Sequence, residues 1–368
     1  MKLLVKLKKT DGSAIDVGTD KCAFVNLAIA CMFSDCATKI SDVQISGGDF
    51  DYGYTAYFLT ALQYQLQAQK SHLKVLGWDR DEAGLFDDEK NKGHVKRMAM
   101  VDKSVAYELY GPLYTSITRQ EKYLLSQTDV RIKLTRALSK FACMSFAGTD
   151  LKVDIENCNL FIRRVAVNPS VIEGHARGLS TKNAIYRIPR YQVVTHIITK
   201  GQREATKDNL FTTETPKLML VGLVDHNAYN GDYKKNPYNF QNYDINKLVL
   251  YRNGEIVHGQ ALTPNYKTNQ YTGAYAHTMS SLKFFNTDDS NGVTYEDFKD
   301  GYNIYAFDLT SDNNANSSYL NASLERGLRL EMKFGTALPE NVNLIIFGLF
   351  DSHFEITKLR NVIVNHFG

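Results

Sequence analysis

Apolar and polar residues trade places at every second position in segment after segment of this chain. Val130, Ile132 and Leu134 alternate with Arg131, Lys133 and Thr135. Leu151, Val153 and Ile155 alternate with Lys152, Asp154 and Glu156, and Leu328, Leu330, Met332 and Phe334 with Arg329, Glu331 and Lys333. A period of two puts one set of side chains on each face of a strand, so each segment predicts a half-buried strand with one wet face. The opening MKLLVKLKK reads the same way: Leu3, Val5 and Leu7 alternate with Leu4, Lys6 and Lys8, and the apolar run of a signal peptide is missing. Residues 248–251 and 255–257 flank Asn253-Gly254, a strong hairpin signal. Residues 342–350 are apolar on both faces and predict a strand deep in a sandwich.

Helix is scarce. Tyr54, Tyr57, Phe58, Ala61, Leu62 and Leu66 recur at three-and-four spacing and predict one amphipathic helix over 54–69. Residues 77–101, rich in Asp, Glu, Lys and Gly, read as a long polar excursion of the functional or mobile kind. The two halves echo each other in order and pattern. ISGGDFDYGYTAYFLTAL in the first half matches TPNYKTNQYTGAYAHTMSSL in the second, and a long excursion follows each. VAYELYGPLYTSI with VRIKLTRAL then matches GYNIYAFDLT with LRLEMKFGTAL, and LKVDIENCNLFIRRVAV matches NVNLIIFGLFDSHFEI. Such a duplication implies two β-sandwiches of similar wiring, joined near residues 180–205. An eight-stranded sandwich with two long crossovers is a jelly roll. The expected fold is therefore all-β: a double jelly roll of two tandem sandwiches, 1–190 and 191–368, with long inserted loops and a short helix.

Composition is that of a globular protein, 43% hydrophobic and 23% charged, and 368 residues suffice for two cores. The 22 Tyr and 19 Phe against the single Trp78 favour strands. A sandwich core accounts for them more simply than a base-stacking platform. A net charge of +3 is too mild for a dedicated nucleic-acid binder, and no sequence-specific contact with nucleic acid is expected. No run approaches the ~18 apolar residues of a membrane span. Cys22, Cys31, Cys36, Cys143 and Cys158 form no CxxC pair and read as free, buried thiols of a protein made inside a cell. The sequons at Asn316 and Asn321 have no secretory context and read as chance.

Patterns that invite an enzyme reading fail on inspection, and no catalytic, cofactor or metal site is expected. The tract PKLMLVGLVDHNAYNGDYKKNPYNFQNYD (216–244) runs from a buried-looking strand into a turn of Asn, Gly and Tyr, with no nucleophile and base, no metal spacing and no phosphate loop. Its composition suits a surface that docks against another surface. Residues 287–298 resemble half a Ca²⁺ loop, but Thr287 and Phe298 fall where carboxylates are needed. Asp79, Asp81, Glu82, Asp87, Asp88 and Glu89 lie among Lys90, Lys92, Lys96 and Arg97 in one loop, which reads as a solvated surface and not as a scaffold-held acid–base pair. The nine histidines are scattered, with His196 and His353 inside strand patterns.

The tract VGLVDHNAYNGDYKKNPYNFQNYDINKLVLYRNGE resembles the major capsid proteins of Polinton (Maverick) elements and adintovirus-like viruses. VNLAIACMFSDCATKISDVQISG, TAYFLTALQYQLQAQKSHLKVLGWDRDEAG and LRLEMKFGTALPENVNLIIFGLFDSHFEI match in the same order, so the resemblance covers nearly the whole chain. It implies a hexon-like double jelly roll whose copies form pseudo-hexagonal homotrimers that tile a virion capsid. The partners implied are the chain itself, through trimer and capsomer–capsomer contacts, and a penton or minor capsid protein. The matched excursions 47–101 and 259–299 are expected to interlock across the trimer and form its outward face, burying well over ~2,000 Å² of aromatic-rich surface. Family members carry a further N-terminal segment with the opening strand of the first jelly roll. The start at MKLLVKL is therefore expected to leave that sandwich one strand short, to have a neighbour supply the strand, or to reflect a truncated copy. YGYTAYF at 52–58 also departs from the family's Tyr-Pro-Tyr-Arg-Ala-Tyr run. A host-recruited, lectin-like jelly roll that holds glycan with loop Tyr and Asn is the competing reading. A cupin-type enzyme ranks third, for want of clustered His and Glu ligands.

Overall fold

In the second half of the chain every strand of the principal sheet finds a partner. The computed structural model describes residues 1–48, 51–315 and 327–366; the sequons at Asn316 and Asn321 lie outside them. Val342–Ile356 is buried on both faces through its first nine residues, as its composition requires. One of its edges pairs with Leu218–Asp225 and then with Val362–His366. Ala184–Ile198 covers the other edge along all 15 residues. Ile304–Asp308 closes the sheet beyond Leu218–Asp225. The facing sheet runs Glu204–Lys207, Leu328–Phe334, Ile245–Arg252, Glu255–Ile256. Its hairpin turns at Asn253 (φ 53°) and Gly254 (φ 87°), the left-handed pair that matches strand twist. Met219, Val221, Leu344 and Ile346 meet Leu248, Leu250, Leu330 and Met332 between the two sheets, all at most 1% exposed.

The first half repeats this wiring. Tyr107–Tyr110, Lys2–Lys9 and Leu151–Asn159 lie in the order of Ile304–Asp308, Leu218–Asp225 and Val342–Ile356. Val43–Ser46, Phe33–Ile40 and Val130–Arg136 lie in the order of Glu255–Ile256, Ile245–Arg252 and Leu328–Phe334. A helix follows the hairpin in each half, Tyr52–Ala61 and Thr272–Ser281. Leu3, Val5 and Leu7 are fully buried and their Lys neighbours are not, so the alternation of the opening strand is a true face selection. The halves differ in one respect. Among the described residues no strand stands beside Leu151–Asn159 as Ala184–Ile198 stands beside Val342–Ile356, and none beside Val130–Arg136 as Glu204–Lys207 stands beside Leu328–Phe334. Among the described residues the first half thus shows no counterpart of Ala184–Ile198, Glu204–Lys207 or Val362–His366, where one missing strand was expected. The boundary expected at 190/191 falls inside Ala184–Ile198.

Several expectations change with tertiary context. The single amphipathic helix over 54–69 is two helices, Tyr52–Ala61 and Leu66–Lys70. All ten residues of the first are buried, because it is enclosed by both halves and has no wet face. Gln69 Nε2 donates to Tyr64 O (3.0 Å) and Asn291 O (2.8 Å), which fixes the break between the two helices. The excursion 77–101 contains the helix Lys92–Val101 and buries Trp78 and Phe86. Val130–Arg136 is shallower than a half-buried strand: Val130 is exposed, and Ile132 and Leu134 are only partly covered. The strand pattern of 151–167 is realised only to Asn159, since a strand needs hydrogen-bonded neighbours and 160–167 pairs with no strand among the described residues.

Phe347, fully buried, packs against Phe58 of the first half (ring centroids 5.6 Å) and Tyr191 (6.0 Å). Phe347→Ala is expected to destabilise the fold by about 3–5 kcal/mol through lost burial plus a cavity, read as a lower urea midpoint.

Candidate assembly interface

The tract 216–244 is an internal seam and not an outer docking surface. Leu218–Asp225 is buried throughout, and Asp225 caps the short helix His226–Asn230 by accepting from Asn227 N (2.7 Å). Beyond it, Asn236 Oδ1 accepts from Tyr238 N (3.0 Å) and turns the chain back toward Tyr52–Ala61. Tyr238 stacks on Tyr57 at 4.2 Å and 10°, and its hydroxyl donates to Gly53 O (3.3 Å). Tyr54 returns a hydrogen bond to Pro237 O (3.0 Å). Phe240 fills the space beside Phe58 (5.3 Å). Gly222 makes this possible, since a Cβ there would lie 2.4 Å from Phe240 Cδ1. Burial pushes the Tyr54, Tyr57 and Tyr238 hydroxyls well above their ordinary range, so they stay neutral, and those of Tyr54 and Tyr238 donate to carbonyls. The tract does dock against a surface, and that surface is the other half of its own chain.

The carboxylates of the first excursion do not form a uniformly solvated face. Asp81 and Arg97 pair at 2.7 Å with side chains 1% and 2% exposed. Arg97 also donates to Phe24 O (2.9 Å), while Asp81 takes Asn236 Nδ2 (3.3 Å) and its carbonyl takes the Tyr302 hydroxyl (2.7 Å). Asp87 accepts from Asn236 N (2.6 Å) and Asn239 Nδ2 (2.9 Å), and burial raises its pKa. The guanidinium and these amides supply the compensation that buried carboxylates need, and so the excursion is tied to the second half. Glu82, Asp88 and Glu89 stay at or near the surface as expected.

The remaining candidates are spread through the fold. In 287–298, Thr294 forms a capping box with Asp297 for the helix Tyr295–Lys299, which is a structural use of a Ca²⁺-like pattern. Among the described residues no group of three or more His, Cys, Asp or Glu is placed to hold a metal. Four thiols are buried as expected, with Cys22 and Cys36 pushed up to about 12 by burial, whereas Cys158, expected to be buried, is exposed near the end of its strand. A cavity of about 50 Å³ between Cys36, Tyr52, Tyr114 and Tyr191 is too small for more than water. His196 and His353 lie in strands Ala184–Ile198 and Val342–Ile356. His258 Nδ1 meets His277 Nε2 at 2.9 Å.

A largely exposed arm follows Leu151–Asn159, touching the body of the protein through Phe161, whose ring lies 6.1 Å from that of Tyr110. Residues 157–182 are exposed apart from Leu179. Leu160 (43% exposed), Phe161 (62%), Ile162 (69%) and Val165 (53%) stand open to solvent, followed by Val171 and Ile172 on the helix Pro169–Thr181. A contiguous apolar surface of this kind marks an interaction site. The sequence signal was present, since LFIRRVAV is a strand-forming run, but only the structure shows that no strand among the described residues pairs with it. The excursions 47–101 and 259–299 also show apolar residues to solvent, among them Val75, Val95, Met100 and Phe285.

These observations define an all-β protein made of two jelly rolls fused along a buried seam. The fold is the double jelly roll, and solved structures share it. The PBCV-1 virus capsid matches with a TM-score of 0.53 at 8% identity over 100% of this chain and 89% of that one. The Sputnik virophage structure matches with a TM-score of 0.52 at 9% identity over 100% of this chain and 81% of that one. In sequence, the chain is 24% identical over 324 residues to the uncharacterized protein F54H12.2 of Caenorhabditis elegans, spanning 86% of this chain and 75% of that one. No family model matches the chain. Among the described residues no helix is long and apolar enough to cross a membrane.

Two histidines, His94 buried and His277 half-buried, set a pH dependence. Burial, with the Arg97 charge, lowers His94 to about 3. Burial, with His258, lowers His277 to about 4. Above 6.5 both are neutral folded or unfolded, and their full contribution is present. As pH falls below 6.5 the unfolded chain takes up protons that the folded chain refuses. Stability is expected to drop by on the order of 1 kcal/mol per pH unit for each, down to about 4 for His277 and about 3 for His94. Urea midpoints at pH 7, 6 and 5 measure the slope, and His277→Gln should flatten it.

Proposed function

We propose that this chain is a structural protein, the major capsid protein of a Polinton-like DNA virus or integrated element. Its copies form homotrimeric capsomers that tile an icosahedral virion shell. The observation that carries the reading is the repeated jelly-roll wiring itself. A seam of stacked aromatics and a buried ion pair lock two sandwiches of the same topology into one stiff block. Three copies of a two-lobed block give a six-cornered outline, the shape that packs a hexagonal lattice without gaps. The fold likeness to the PBCV-1 capsid and Sputnik structures supports the same reading, as does the sequence resemblance to Polinton and adintovirus-like capsid proteins.

The two jelly rolls of the block are 1–190 and 191–368, with Ala184–Ile198 running through the junction. The excursions 47–101 and 259–299 supply trimer contacts on the outward face. Capsomer–capsomer contacts, and contacts with a penton or minor capsid protein, are smaller and more polar, because a growing shell must release misplaced units. The protein is made inside the host cell and has no catalytic role: its buried polar groups are spent on holding the block together.

Sedimentation and negative-stain microscopy of the purified chain test this. Homotrimers with a hexagonal outline are expected. A monomer that retains glycan would replace the capsid reading with the lectin-like one.

A further inference from the structure

We propose that the turn 357–361 and the strand ends around it form a docking surface for an anionic lipid bilayer. The turn joins Val342–Ile356 to Val362–His366 at the far end of the principal sheet. It is tightly built. Thr357 N donates to Asn361 O (2.9 Å), Arg360 N to Thr357 O (3.0 Å) and Asn361 N to Thr357 Oγ1 (3.1 Å). Turns of this kind favour Gly, Asn or Asp, above all at the left-handed position. Here Arg360 takes that position (φ 65°), and Leu359 stands at the tip. At 79% exposure Leu359 is the most exposed large hydrophobic side chain among the described residues. It gains little from the fold, and a non-glycine residue in left-handed backbone costs stability. The use of such a tip lies outside the protein.

The surroundings say what the tip meets. Ile185 (48% exposed) and Ile363 (44%) flank Glu355 one residue up the strands, and Tyr123 stands open nearby, its carbonyl accepting from the Tyr186 hydroxyl (3.2 Å). Around these apolar groups runs a basic rim. Lys182, Arg187 and Lys358 are exposed and have no ion-pair partner among the described residues. Lys122 is held at the rim by donating to Ile185 O (3.0 Å). Two carboxylates, Glu121 and Glu355, stand among them, and Glu355 is engaged by Asn183 Nδ2 (2.8 Å). An apolar tip set in a cationic rim suits a headgroup layer: the aliphatic groups enter the acyl boundary while the cations meet anionic headgroups. Nucleic acid fits less well, since a phosphate backbone has no use for exposed aliphatic side chains. One turn binds weakly, and copies repeated across a shell make the sum strong. On the capsid reading the bilayer lies inside that shell. Residues 259–299 return to the sheet at Ile304, opposite Gly222 and toward Val342, which is the other end of the strand that reaches the tip.

The inference goes beyond the capsid reading, which requires no lipid. The full chain is mixed with an excess of phosphatidylcholine vesicles, with and without roughly 30% phosphatidylserine, and the bound fraction is read by flotation. Anionic vesicles are expected to hold about ten-fold more protein than neutral ones, and about 0.5 M NaCl should release most of it. Leu359→Trp supplies a local reporter, since the native Trp78 is 1% exposed, and its emission should shift to the blue on anionic vesicles alone. Leu359→Asp, or Arg187→Glu together with Lys358→Glu, should cut binding about five-fold. Leu138→Asp, at a leucine 68% exposed beyond the end of Val130–Arg136, should leave it unchanged. Equal binding to both vesicles, no shift from the Leu359→Trp variant, or an equal loss from Leu138→Asp would overturn the proposal. Random-sequence DNA held by a chain that ignores vesicles would overturn it too, and would assign this end to nucleic acid. Hexagonal trimers that leave vesicles alone would sink this inference and spare the capsid reading. Vesicle binding by a chain that forms no trimers would sink only the capsid reading.

Discussion

A strand holds its form only while something accepts and donates along both of its edges or water does so instead. That constraint explains most of what distinguishes the two halves. Val342–Ile356 extends over 15 residues because three strands line its edges. Leu151–Asn159 has the same place in the wiring and a sequence that could run as far, yet it stops after 9 residues with one edge unlined. The same rule makes the second half the more complete sandwich, and it leaves the first half leaning on its neighbour.

The leaning is done by the seam. Helix Tyr52–Ala61 carries no polar stripe, so it can exist only enclosed, and the 233–240 segment of the second half encloses it. Aromatic rings suit the task, since each buries a large area with few rotatable bonds and still offers a hydroxyl to a carbonyl. The Asp81–Arg97 pair adds direction: a buried charge pair that also engages Asn236 tolerates one arrangement of the halves, because any slip strands a charge. A block fixed in this way can transmit load from neighbour to neighbour, which is the mechanical requirement of a shell.

Much of this architecture was legible in the chain. Alternation identified the strands at 2–9 and 328–334, Asn253-Gly254 gave the hairpin, and the two-faced apolar run at 342–350 marked the central strand. The order of motifs disclosed the repeat that the sheet topology then displays. The misreadings share a cause. Tyr54 and Tyr57 look amphipathic in a helical projection because tyrosine is ambiguous, and their burial depends on Tyr238, some 180 residues away. Asp81 looks like part of a wet acidic loop until Arg97, Asn236 and Tyr302 converge on it. The tract 216–244 read only as a docking surface, because composition shows that a segment docks and does not show on what. The exposed arm was hidden by its own propensity, since LFIRRVAV reads as a strand and only its missing neighbour says otherwise.

Native-state hydrogen exchange resolved by residue tests the central claim most directly, that the halves are one block. The amides of Tyr52–Ala61, Leu218–Asp225 and Val342–Ile356 are expected to exchange together, only through global opening, while those of 160–167 in the isolated chain exchange near the free-peptide rate. Exchange of Tyr52–Ala61 well ahead of Val342–Ile356, or strong protection of 160–167 in the monomer, would contradict it.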